Sequence, residues 1–220
     1  MNKRNYQKEL DSIIEGNSRQ GIRPRLLLHV CCAPCSSYVQ EYLTEYFDIT
    51  LFFYNPNMDT AEEYAKRVDE LRRLADEADF PSDIMICPYD PESFDKIAKG
   101  LEDEPEGGKR CPKCYELRMR RAAEYARDNG FDYFTTTLSI SPYKNADWIN
   151  EIGEHLAKEY GVPHLPSDFK KKNGYKRSIE LSKEYNLYRQ DYCGCEYSRN
   201  VREKETAPIS LNCSNETVSA

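Results

Sequence analysis

The sequence predicts an α/β fold: a parallel sheet flanked by helices, with a smaller helical part at the C-terminal end from about residue 161. Two observations carry this. Short runs rich in aliphatic, aromatic and β-branched residues alternate with amphipathic stretches of helical period, as crossover connections require. The strand-like runs are nearly continuous in apolar character, which suggests burial on both faces. The expected architecture is a three-layer core of the Rossmann-like, or HUP-like, kind.

The first strand reads Arg25 to Val30, followed by a helix whose apolar face is Tyr38, Val39, Tyr42, Leu43, Tyr46 and Phe47. A second strand, Ile49 to Tyr54, leads through Asn55-Pro56-Asn57 into a helix opened by Thr60 and Glu63, the spacing of a capping box. Ile84 to Cys87 is the third strand and Phe131 to Thr137 the fourth. Between them Glu102-Asp103-Glu104-Pro105-Glu106-Gly107-Gly108 reads as a solvated acidic loop. Cys111-Pro112-Lys113-Cys114 then opens a helix that runs to about Asn129 and stops at Gly130. A further helix, Ala146 to Tyr160, presents Trp148, Ile152 and Leu156 on one face. Residues 1–205 are expected to form one domain, and the aperiodic residues 206–220 a mobile tail.

With 31 basic against 38 acidic residues the chain carries a net charge of −7. Long-range attraction therefore cannot recruit nucleic acid, and a polyanion needs a local basic patch. The start, MNKRNYQKEL, lacks an apolar signal region, and runs such as Leu26 to Leu28 are too short to cross a bilayer. A cytoplasmic location without a membrane partner is expected. In that reducing compartment nine cysteines point to metal or redox chemistry and away from a disulfide framework.

Seven of the thiols fall in three groups: Cys31, Cys32 and Cys35; Cys111 and Cys114; Cys193 and Cys195. Metals need several thiolates converging on one point, and a two-residue gap lets a turn aim both sulfurs inward. The first group follows a buried strand, at the sheet edge where open α/β sheets bind ligands. Cys111 and Cys114 sit on the first turn of a helix, where the dipole favours thiolate over thiol. A disulfide across Gly194 would close a small strained ring and reduce readily. The CxC pair is thus a two-electron relay or the completion of a metal site. A structural zinc on Cys32, Cys35, Cys111 and Cys114 is the alternative, although it leaves the consecutive cysteines and the CxC pair unused.

Cys87 reads as a small buried apolar side chain and Cys213 as incidental; His29 reads as a core residue, and His155 and His164 carry no ligand spacing. Arg118, Arg120 and Arg121, and Lys170-Lys171-Lys172 with Lys176-Arg177, are the local basic stretches, each a candidate phosphate contact or a solvated face. The loop Ser139 to Asn145 either orients a substrate or caps a helix through Asn145, and Tyr188-Arg189-Gln190 invites the same pair of readings. Asp168, Asp191, Tyr143 and Tyr192 are possible proton donors.

The segments LLLHVCCAPCSSY, FFYNPN, CPKCYELRMRRAA, FTTTLSISPYKN and LYRQDYCGCEYS, in that order from Leu26 to Ser198, resemble the cobalamin-independent epoxyqueuosine reductases. The resemblance implies reduction of the epoxide of epoxyqueuosine to the cyclopentene of queuosine at the wobble position of tRNA. It also implies a four-iron four-sulfur (4Fe–4S) cluster on Cys31, Cys32, Cys111 and Cys114, with Cys193 and Cys195 as the redox pair. Cys35 is left to a second iron or other metal ion, to an exchange with one of the four, or to no ligand role. No flavin or nicotinamide fingerprint is evident, so an external electron donor is expected. Two other classes compete. An ATP-pyrophosphatase-like tRNA-modifying transferase would place a phosphate loop at Val30 to Ser37, where the glycine-rich SGGxDS pattern is missing. A zinc-stabilised RNA-binding module would bind tRNA without electron chemistry.

Overall fold

A computed structural model describes residues 4–206 apart from 79 and 81, with the side chains of 202–206 left aside. Four strands, β1 (Arg25–His29), β2 (Asp48–Phe53), β3 (Ser82–Ile86) and β4 (Tyr133–Thr136), form one sheet in the order β3-β2-β1-β4. All three pairings are parallel, with Leu27 opposite Thr50 on one side and Phe134 on the other. Each strand lies within a residue or two of its expected position. Burial on both faces holds for β1 and β2, but β3 exposes Asp83 and Met85. It is an edge strand, which has one neighbour and less cover.

The period-2 alternation of the strands divides the core. Leu26, Leu28, Ile49, Leu51 and Phe53 pack on one face against α1 (Tyr6–Arg19), α2 (Ala33–Leu43) and α3 (Ala61–Glu77). Leu27, Phe52 and Phe134 pack on the other against α5 (Arg110–Asp128) and α6 (Ala146–Tyr160). A short helix α4 (Pro91–Ala98) precedes α5. Beyond Gly161, α7 (Gly174–Glu184) packs against α2, and α8 (Glu196–Thr206) follows the CxC pair. The tail expected from Thr206, with Cys213, lies outside the described residues apart from Thr206 itself, which ends α8.

Local chemistry sets the helix ends. Asn145 caps α6 by accepting from Asp147 N and Trp148 N, and Gly161 closes it at φ +74°. Thr60 accepts from Glu63 N as a capping box predicts, but the Glu63 carboxylate turns to Arg67 Nε at 2.6 Å and Tyr188 OH instead of back to the cap. Tyr46 and Phe47 fall beyond the end of α2. Among the described residues no helix is long and apolar enough to cross a membrane.

His164 is buried against the Phe134 ring, and neither ring nitrogen has a partner. Burial holds its pKa down at about 3. Below about pH 6.5 an unfolded chain takes up a proton that the native state refuses. Stability is therefore complete above that pH and falls as pH drops toward 3, by up to ~1.4 kcal/mol per pH unit from this residue. Thermal melts from about pH 7 to 5 should show a flatter profile for His164→Phe than for the parent; equal slopes would clear His164 of the effect.

Candidate metal and thiol centre

The order β3-β2-β1-β4 makes a topological switch point between β1 and β4, where chains leave the sheet in opposite directions and a crevice opens at the carboxyl ends. Cys31 and Cys32 occupy that crevice. The Cys31 N–H donates to Thr137 Oγ1 at 3.3 Å, tying the end of β1 to the end of β4. Cys32 is the extended N-cap of α2, with Pro34 and Cys35 in its first turn. The Sγ atoms of Cys31, Cys32 and Cys35 all lie within 4.8 Å of one another, and that of Cys31 is 3.8 Å from that of Cys32.

Hydrogen bonds from Cys32 and Cys35 push the Cys31 thiol well below its ordinary range, with Lys144 and Arg118 adding attraction. Hydrogen bonding to Cys31 raises Cys32 to about 11, and hydrogen bonding to Cys31 and Cys32 together with burial pushes Cys35 well above its ordinary range. Cys111 and Cys114 are raised by burial, Cys114 to about 11. Burial disfavours the charged form of both thiols, and a bound cation is what would favour it.

Cys193 and Cys195 are carried in by the C-terminal segment, their Sγ atoms 3.3 Å apart. The Cys193 thiol is pushed well below its usual range by its hydrogen bond with Cys195, with Lys144 and Ser198 helping, whereas Cys195 is pushed up. Gly194 has φ +110°, and a Cβ there would meet Met58 Sδ at 2.7 Å and Arg67 at 3.3 Å, so both backbone shape and space require glycine. Asp59 fastens this loop: its N–H donates to Gly194 O at 2.9 Å, and its carboxylate accepts from Tyr192 OH and pairs with Arg199.

The three groups meet around two adjoining cavities. One, of about 110 Å3, is lined by Cys31, Cys32, Cys35, Cys193 and Lys144. The other, of about 20 Å3, is lined by Cys111, Cys114, Cys193, Cys195 and Lys144. Cys193 faces both. Cys87 is half-buried in the core beside α5 and outside both linings, as expected of a packing residue. His29 is a neutral core residue, bonded to Thr136 Oγ1 and Tyr54 O, with its pKa held at about 3 by burial.

Sequence reasoning missed most of the positive charge around these sulfurs. Arg67 is 2% exposed and reaches Cys193 O at 3.5 Å. Arg118, also 2% exposed, donates to Asn55 Oδ1 at 2.5 Å and approaches Cys114 Sγ at 4.0 Å, one helical turn back. Its Nε has no partner. Asn55 in turn donates to Val30 O, so the loop after β2 clamps the end of β1 to α5. Buried cations facing a set of thiols suit a group of net negative charge, which a thiolate-ligated iron–sulfur cluster is. The donor set therefore fits such a cofactor.

The other basic residues have different work. Arg120 pairs with Glu116 and Glu159, Arg121 with Glu124, Lys172 with Asp11 and Arg177 with Glu41. Of the possible proton donors, Asp191, Tyr143 and Tyr192 line the 110 Å3 cavity, while Asp168 lies outside it, paired with Lys170. Arg189 donates to Ser182 Oγ, and Gln190 lines the cavity.

A family model described as Epoxyqueuosine reductase QueH matches residues 26–201. The chain belongs to that family. A Staphylococcus epidermidis protein named Epoxyqueuosine reductase QueH is 45% identical over 200 residues, covering 88% of this chain and 84% of that one. One of the same name from Streptococcus pyogenes serotype M1 is 41% identical over 202 residues, covering 90% and 79%. Among solved structures, NAD+ synthetase from Burkholderia pseudomallei aligns over 92% of this chain and 89% of that one at 13% identity, with a TM-score of 0.28. Membership of the reductase family agrees with the five motifs, which fall within the matched residues.

Proposed function

We propose that this protein is an iron–sulfur epoxyqueuosine reductase that converts epoxyqueuosine to queuosine in tRNA, in the cytoplasm, with electrons from an external donor. The observation that supports it is the convergence of all three thiol groups on cavities that share Cys193. Cys31, Cys32, Cys111 and Cys114 would hold a 4Fe–4S cluster, and Cys35 would hold a neighbouring metal ion. When bound, such a cluster supplies single electrons and an iron that acts as a Lewis acid toward oxygen.

The chain's own contribution is a two-electron store. Cys193 and Cys195, as a dithiol, give up two electrons and two protons and become a disulfide. Both carbon–oxygen bonds of the epoxide break, a carbon–carbon double bond forms, and the oxygen leaves as water. The donor then returns two electrons, and two protons from solvent restore the dithiol. Lys144 stabilises the Cys193 thiolate, and Arg67 with Asp59 holds the loop that presents it. Substrate reaches this centre only with its base turned out of the RNA stack.

Anaerobic reconstitution with iron and sulfide should give broad visible absorption and a protein that converts epoxyqueuosine-containing tRNA when supplied with reductant. A colourless protein holding one tight zinc and inert toward that tRNA would defeat the reading.

A further inference from the structure

Outside the thiol centre lies a larger cavity of about 660 Å3, lined by Arg4, Tyr143, Lys144, Asp168, Lys170 and Lys171 among others. Pro142, Tyr143 and Lys144 line this cavity and the thiol-bearing one alike, so the two share a wall. Tyr143 is 66% exposed, the most open large hydrophobic side chain among the described residues. The lining sets four basic side chains (Arg4, Lys144, Lys170, Lys171) against two acidic ones, Asp147 and Asp168. That reverses the sign of a chain with net charge −7.

The cations are not equivalent. Arg4 pairs with Glu9 and Glu154, and Lys170 with Asp168. Lys171 is exposed on the rim. The first N–H groups of α6 are taken by Asn145, so the helix end is not the attraction. What the cavity offers is a largely exposed aromatic side chain and an exposed lysine in one lining, next to the thiol centre. Successive bases on single strands are held by such pairings of aromatic platform and basic groove.

We propose that this cavity is a subsite for the nucleotide adjoining the modified one, with the Tyr143 ring stacked on its base and Lys171 against its phosphodiester. The inference rests on the reductase reading and deepens it. The protein selects its substrate as part of a single-stranded RNA segment and discriminates against the free nucleoside.

The test uses reconstituted protein and a fluorescently labelled anticodon stem-loop carrying the epoxide. Tyr143→Ala should weaken stem-loop binding by about tenfold, the scale of one lost stacking contact, and Tyr143→Trp should restore it. Lys171→Gln should lower the slope of log affinity against log salt by about 0.7, the share of one single-strand phosphate. Stem-loop affinity unchanged in Tyr143→Ala overturns the proposal. So does slowed re-reduction by the donor in that variant at full RNA affinity, which would make the cavity the donor's. Equal reduction of free nucleoside and stem-loop by the parent protein also overturns it while leaving the reductase intact. Failure to reduce either would take down both readings.

Discussion

Replacing Cys193 by serine is expected to slow epoxide reduction at least about a thousandfold, the scale seen when one member of a cooperating catalytic set is removed, while the metal centre stays in place. Cys193 is the thiol that faces both cavities, and its sulfur lies 3.3 Å from that of Cys195. A serine keeps the hydrogen bond from the backbone N–H of residue 193 to Ser198 Oγ, at 3.0 Å in the parent, but cannot store an electron. Because the two sulfurs act as one unit, Cys195→Ser should fail equally, and the double variant should be no worse than either. Single-turnover assays with pre-reduced protein give the answer. A Cys193→Ser protein within tenfold of the parent would eliminate the dithiol from the reaction.

The second large effect is expected at Cys31. Its sulfur lies closest to thiolate of the first group and is held by both neighbouring thiols and by Thr137 Oγ1 at 3.4 Å. Cys31→Ala should lose the broad visible absorption of the reconstituted protein together with turnover. Cys35→Ala, in contrast, should keep the absorption and lose iron, since its proposed partner is the neighbouring ion. Iron and sulfide stoichiometry of the two variants distinguishes these outcomes. Full absorption in Cys31→Ala would remove it from the ligand set.

The residues made the sheet legible because each strand is a dense apolar run between turn formers, and they made the thiol groups legible because cysteines at short spacing stand out in any context. Helix α6 was readable to its last residue, since Asn145 and Gly161 are strong end signals. Helix α1 was passed over because its apolar positions Tyr6, Leu10 and Ile14 are diluted by charge. Helix α4 went unread although Asp90 followed by Pro91 supplies a cap and a first turn.

The buried charges were beyond reach for a different reason. Arg67 follows Glu63 by one turn, the pattern of a solvated ion pair, and only the arrival of the C-terminal loop covers it. Lys144 sits in a loop that reads either as a substrate-orienting segment or as a helix cap. Its proximity to Cys31, Cys35 and Cys193 comes from three segments far apart in the chain. Arg120 and Arg121 looked like companions of Arg118, yet the turn of α5 sends only Arg118 inward, toward Asn55.

The loop bearing Gly194 closes the pocket from the far end of the described chain, through Asp59 and Arg199. During translation the first cysteine group therefore emerges long before the segment that shields it. A nascent or truncated polypeptide presents three adjacent sulfhydryls with no lid. The order of synthesis thus leaves these sulfurs uncovered until the last segment of the described chain folds across them.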